Sequence, residues 1–301
     1  MLAGQHFALQ SWRMFIAYRF IQLLLSACCG AMLWSAAALA EPPQPNPALD
    51  PAREAFAAGE FAKAADEARK LDTGMAAAFA ARAALAQGDF VASPSERRPV
   101  FVSAEADARR ALARDPENVE GHLCLALALG FLGRIDGSVT AHFAGYATEA
   151  RTHIDRAIAL APDSAWGHAL DGGWNLEIVR DGGMLGESIY GASFEKGVAA
   201  YRRSLVLEPA NAAIAYQFAL QLLGAGGVLN RAEARAVLAH ALRQETTDVV
   251  GTYIHRRIKR LKLTLDTDDT LALKEILRDR LGIGSGTSDA ARQKLLPGRA
   301  R

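Results

Sequence analysis

Three prolines punctuate this chain in the same way. The Ala/Leu-rich amphipathic runs ARRALARDPEN, DRAIALAPDS and RRSLVLEPAN each end at a proline tetrad: Asp115-Pro116-Glu117-Asn118, Ala161-Pro162-Asp163-Ser164 and Glu208-Pro209-Ala210-Asn211. Another helical run follows each tetrad: VEGHLCLALALGFLG, AWGHALDGGWNLEIV and AAIAYQFALQLLGAGG. Proline stops a helix and fits the first turn of the next, so the pattern predicts successive helices, each stopped and restarted. Composition agrees. Half of the 301 residues are hydrophobic, only 7% are aromatic and alanine is abundant, which suits helices packed closely through small side chains. A self-similar helical chain needs no division into globular domains, because each unit touches mainly its neighbours.

A second signature lies between paired runs. Gly59-Glu60-Phe61, with Ala64, Ala68 and Leu71 after it, and Gly88-Asp89-Phe90 place glycine where a turn favours positive φ. Ala64, Ala104, Ala150, Gly197 and Ala234 align as small residues where two helices approach. In these features the chain resembles the tetratricopeptide repeat (TPR) family over roughly residues 48–280. The resemblance implies an all-α, right-handed solenoid of about five helix pairs. Inserted loops are expected between paired helices at 91–100, 134–146 and 179–193.

By analogy with the family, the first helix of each pair lines a concave groove for a protein or peptide partner. The implied groove residues are Glu120, Leu123, Leu127, Gly130 and Phe131 in the third pair. The fourth contributes Trp166, Ala169, Gly173, Leu176 and Glu177, and the fifth Ala213, Tyr216, Leu220 and Leu223. The groove is then mostly apolar, anchored by Trp166, Tyr216 and Phe131. Ordinary packing between helices is the competing reading of the same residues.

One position departs from its siblings. Asp171 stands where neighbouring units have Leu125 and Phe218, an expected core position, and a buried carboxylate needs partners. His168 lies on the same helix face and is expected to pair with it, with Arg180 or Tyr201 as further partners. His122 matches His168 one unit earlier. The three residues form either a polar core network or a ligand pocket roofed by residues 179–193.

The N-terminal segment has the pattern of an export signal. Arg13 and Arg19 precede an uncharged stretch, Phe20–Ala40, that ends in Ala38-Leu39-Ala40. Cleavage after Ala40 is the first expectation, placing the protein in a bacterial periplasm or outside the cell. Lipidation at Cys28 or an uncleaved anchor are the alternatives. Residues 1–40 thus read as signal, 41–51 as a proline-rich linker, 52–281 as the repeat domain and 282–301 as a poorly ordered tail.

Charge narrows the partners. Lys plus Arg total 34 against 33 acidic residues, which gives no general nucleic-acid signature, and membrane contact is expected only through the N-terminal segment. The basic run His255–Lys262 reads as a solvated helix face or a contact for an acidic partner or anionic lipid headgroups. Outside the signal segment the one cysteine is Cys124, expected to be a buried apolar side chain. Phosphate-loop, zinc-protease and nucleophile-elbow motifs are absent. No cofactor, metal or catalytic residue is therefore expected, and the chain reads as an exported scaffold for a protein or peptide partner, with an envelope accessory that binds a small molecule or assists solute uptake as the alternative.

Overall fold

The computed structural model describes residues 46–246 and 248–282. The signal segment, residues 41–45 of the expected linker and nearly all of the C-terminal tail lie outside them. The chain divides into two units, Met1–Pro47 and Ala48–Arg301, and every described α-helix belongs to the second.

Among the described residues there are thirteen α-helices and no strand. They form successive pairs: α1 (Asp50–Ala57) with α2 (Phe61–Arg69), and α3 (Gly74–Ala86) with α4 (Pro94–Arg114). The third pair is α5 (Val119–Asp136) with α7 (Tyr146–Leu160), separated by the short α6 (Ser138–Phe143). Then come α8 (Ala165–Tyr190) with α9 (Phe194–Leu207), and α10 (Ala212–Ala225) with α11 (Val228–Ala241). A sixth pair, α12 (Val249–Asp266) and α13 (Thr270–Leu281), completes the array. The expected linker reaches Pro51, but α1 already begins at Asp50, with proline in its first turn where the missing N–H costs nothing.

The proline tetrads work differently from the expectation. Their first residues, Asp115, Ala161 and Glu208, are C-caps, and their last, Asn118, Ser164 and Asn211, are N-caps. Each proline lies between helices, not in the first turn of the next. The restart comes from the capping side chain: Asn118 Oδ1 accepts from Gly121 N at 2.8 Å, and Ser164 Oγ from Gly167 N at 3.1 Å.

The expected inserted loops are mostly helix. Residues 91–100 hold the end of a π-helical turn (Gln87–Val91) and the start of α4; residues 134–146 hold α6. Residues 179–190 continue α8 across a kink at Gly183, whose φ of 54° interrupts the ladder, and residues 191–193 link it to α9. Glycine spacing there read as a loop because glycine is a poor helix former, but tertiary contacts override that weak preference. The two turn glycines also differ. Gly59 takes φ 80°, as a turn demands. Gly88 has no such φ; a Cβ there would sit 2.4 Å from Phe101, so it is held by close packing.

Small residues let the paired helices meet. Ala64, Ala104 and Ala234 are fully buried, and Ala150 and Gly197 are buried with them. In the fourth pair Gly172 faces Gly197 so closely that a Cβ on Gly172 would lie 2.9 Å from the Gly197 carbonyl oxygen. The apolar core runs along the array in two stretches, one through the first three pairs and one through the last three.

Candidate partner-binding chamber

The first helices of all six pairs contribute to one chamber of about 590 Å³. Phe56 enters from α1, Leu85 from α3, Leu127 from α5, Leu170 from α8, Ile214 from α10 and Ile254 from α12. This arrangement follows from the repeat: equivalent helices present equivalent faces, and stacking curves those faces toward one axis.

The sequence-derived groove residues divide. Glu120, Leu123, Leu127, Gly130 and Phe131 on α5 line the chamber, as do Trp166, Ala169, Gly173 and Glu177 on α8 and Ala213 on α10. Phe131 stacks on Phe101 at 4.3 Å between ring centroids, nearly coplanar, and Arg134 lies over its ring. Trp166, 37% exposed, is the open aromatic. Leu176 and Leu223 lie in the core. Tyr216 and Leu220 do as well, so the expectation that they anchor the groove is corrected. Helices α12 and α13 cover that face of α10, packing Ile258, Leu261 and Ile276 into the same cluster. Burial pushes the Tyr216 hydroxyl up to about 12.

The chamber's charges meet one another. Arg82 Nε lies 3.1 Å from Glu120 Oε1. Arg134 Nε donates to Glu177 Oε1 at 3.1 Å, and Gln221 Nε2 donates to the same oxygen at 2.8 Å. Burial opposes the charge on Glu177, but Arg134 and Arg180 outweigh it and hold the carboxyl below its ordinary range. Asp89 is gripped by Arg257 and Arg280 at 2.7 and 2.9 Å. Cys124 also faces the chamber, with its thiol pushed up by burial. Sequence reasoning missed Arg82, Asp89 and Phe90 in the second pair and Val250 and Ile254 in the sixth. The groove register of α5, carried to α3 and α12, reaches Arg82 and Val250; no local pattern pointed to the other three.

The polar trio does not form one network. Asp171 is half-buried, not in the core, and accepts from Arg151 Nη1 at 2.6 Å and Asn175 Nδ2 at 2.9 Å. His168 instead bonds through Nε2 to the Pro162 carbonyl at 2.9 Å. His122 does the same to Pro116 at 2.9 Å, so the two histidines are equivalent clamps on the proline turns. Arg180 pairs with Asp181 and Gln221, and Tyr201 stacks on Phe218, so neither serves Asp171. His168 and Asp171 do share a separate open cleft of about 480 Å³, walled by Tyr190 and Gly191 from the 179–193 segment and by Lys196. Among the described residues no cluster of three or more His, Cys, Asp or Glu is placed to hold a metal ion. No helix there is long and apolar enough to cross a membrane.

Known proteins match in part. A profile of the family described as Regulator of microtubule dynamics protein 1-3 (RMD1-3) matches residues 49–184, from α1 into α8. Regulator of microtubule dynamics protein 3 of Bos taurus is 28% identical over 122 residues, covering 38% of this chain and 26% of that protein. The chain thus spans about a quarter of the bovine protein's length. A thermophilic TPR protein of Thermus thermophilus superposes with a TM-score of 0.50 at 20% identity, over 69% of this chain and 93% of that one. At that identity the likeness speaks for the fold: the chain is an all-α, TPR-like array.

Proposed function

We propose that this protein is a non-catalytic binding module that seats a short apolar segment of a partner protein in the central chamber. The observation that carries this reading is the convergence of six equivalent helices on one cavity walled by aliphatic and aromatic side chains. Because Arg82, Arg134 and Asp89 are already matched within the wall, a charged occupant gains no new partner there. Apolar side chains gain by leaving water.

The test is affinity capture by the full-length protein and by Trp166→Ala and Leu127→Asp variants, each checked for folding by circular dichroism. Purified microtubules are one bait to include, on the strength of the bovine relative's name. Specific capture lost in both folded variants supports the chamber as the site. Capture that survives Leu127→Asp moves the contact elsewhere.

A second reading is favoured by the chamber's shape. The last pair reaches back to α2 and to the turn after α3, which limits the chamber's length and suits a compact apolar molecule. Native mass spectrometry of the purified protein distinguishes the two: a retained small ligand displaced by Leu127→Asp supports this reading.

The protein is also proposed to be exported, on the strength of the Phe20–Ala40 stretch and its small-residue end. Sequencing the N-terminus of the mature chain tests this. A start at Glu41 supports export by cleavage, a lipid on Cys28 supports an envelope lipoprotein, and an intact Met1 in soluble material rejects both.

A further inference from the structure

The two ends of the array touch along a seam. Phe90, in the π-helical turn after α3, stacks on Tyr253 of α12 with ring centroids 5.3 Å apart, and Phe61 of α2 lies 6.3 Å from the same ring. Arg257 of α12 sits over Phe90 at 4.4 Å and donates to both the carboxylate and the carbonyl of Asp89. Arg280 of α13 takes the other carboxylate oxygen at 2.9 Å. Beside them Arg97 of α4 binds Asp279 at 2.7 Å.

We propose that this seam is a releasable latch, with Asp89 as its catch, and that the array opens and recloses there to set access to the chamber. The consequence for access rests on the chamber being the binding site, but the opening itself is measurable without any occupant.

Three features support a latch over a permanent junction. First, the seam is sparse. Helices of successive pairs pack against each other at every junction, whereas α12 and α13 make no comparable packing with α2, α4 or the π-helical turn and meet them through side chains and isolated close approaches such as Gly59 to Val249. Second, it joins residues 168 and 191 positions apart, while a repeat array is otherwise held by nearest-neighbour contacts. Each pair can therefore keep its fold while the seam parts, through small rotations shared among the junctions. Third, the catch is electrostatically economical. One carboxylate separates two guanidiniums, all three mostly shielded from water, so loss of the Asp89 charge leaves Arg257 and Arg280 facing each other with Asp279, 3.0 Å from Arg280 and shared with Arg97, to offset them. Two latch residues are also chamber wall: Asp89 and Phe90 face the cavity, so an occupant touching them senses closure.

Cys124 is a built-in reporter. It is 6% exposed, it faces the chamber, and Cys28→Ser with Cys29→Ser leaves it as the only thiol in the full chain. The rate of its modification by methyl methanethiosulfonate is measured across low urea concentrations. For the parent, the latch requires an opening whose urea dependence is clearly shallower than that of global unfolding followed by circular dichroism. Asp89→Asn is expected to raise the rate in the absence of urea by roughly tenfold or more, and Tyr253→Leu by less. Arg202→Gln, which breaks an exposed bridge to Glu233 elsewhere, should leave it unchanged. Equal urea dependences in the parent overturn the proposal even if Asp89→Asn fails to fold. So does a folded Asp89→Asn protein that reacts at the parental rate. A lost capture result with an intact latch signature would instead count against the chamber's proposed occupant.

Discussion

Helices α8 and α10 are siblings in the repeat, yet equivalent faces meet different fates. On α8 the face opens: Trp166, Gly173 and Glu177 line the chamber. On α10 the residues matching Ala169 and Gly173, namely Tyr216 and Leu220, are almost wholly buried because α12 and α13 close over them, while Ala213 and Ile214 reach the chamber. Register along a helix sets which way a side chain points. Whether it then meets water or another helix depends on what the rest of the chain places there.

The widest gap between the two helices should appear on truncating their aromatics. Tyr216→Ala is expected to cost about 3–5 kcal/mol, as for other large buried aromatics. Trp166→Ala should cost less than about 1 kcal/mol, because its ring is already partly in water. Urea denaturation of the two variants measures both, and equal losses would erase the distinction between an open and a covered face.

Glycines sharpen the comparison next. Gly172→Ala drives a methyl to within 2.5 Å of the Tyr201 ring and should destabilise by about 1–3 kcal/mol. On the chamber face, Gly130 has open space where a Cβ would go. Gly130→Ala should stabilise by about 0.5–1 kcal/mol through helix propensity. If Gly130→Ala also weakens capture, the occupant approaches that backbone closely.

The smallest effect concerns acid. His122 and His168 make the same clamp, but only His122 has a histidine partner, His153, at 2.8 Å between Nδ1 atoms. Since the Pro116 carbonyl can only accept, a neutral His122 carries its proton on Nε2 and receives one from His153 Nδ1. Burial, then His122, lowers the His153 pKa below 6.5; Glu149 opposes this and Arg109 adds to it. The unfolded chain therefore binds more protons as pH falls below about 6.5. The stabilisation is full above that pH and is lost as pH falls toward and through the depressed folded value. Stability curves of parent and His153→Gln between neutral and mildly acid pH should converge at the acid end. Parallel curves would show that the pair carries no such dependence.

Much of this was legible in the chain. The tetrads marked three junctions because capping, proline and glycine chemistry acts within a few residues. Ala64, Ala104 and Ala234 marked helix crossings because only small residues allow close approach. On α5 the expected Glu120, Leu123, Leu127, Gly130 and Phe131 lie on the chamber wall, with Val119, Cys124, Ala126 and Arg134 beside them. Other readings failed where a distant element intervened. Asp171 was expected to turn to His168 but found Arg151, which arrives from the preceding pair. Residues 179–193 were expected to loop, but 179–190 continue a helix, because glycine's preference is weak beside the contacts made by Trp174 and Tyr190.

By itself, then, the sequence determined that the chain is helical, where three of its junctions fall and which face of α5 turns inward, since these follow from spacing and capping along a short stretch of chain. The tertiary structure alone decided that the array closes on itself at Asp89, and which of the inward faces remain open. Closure sums small rotations over every junction and is completed by side chains far apart in the chain, and no local pattern encodes that sum.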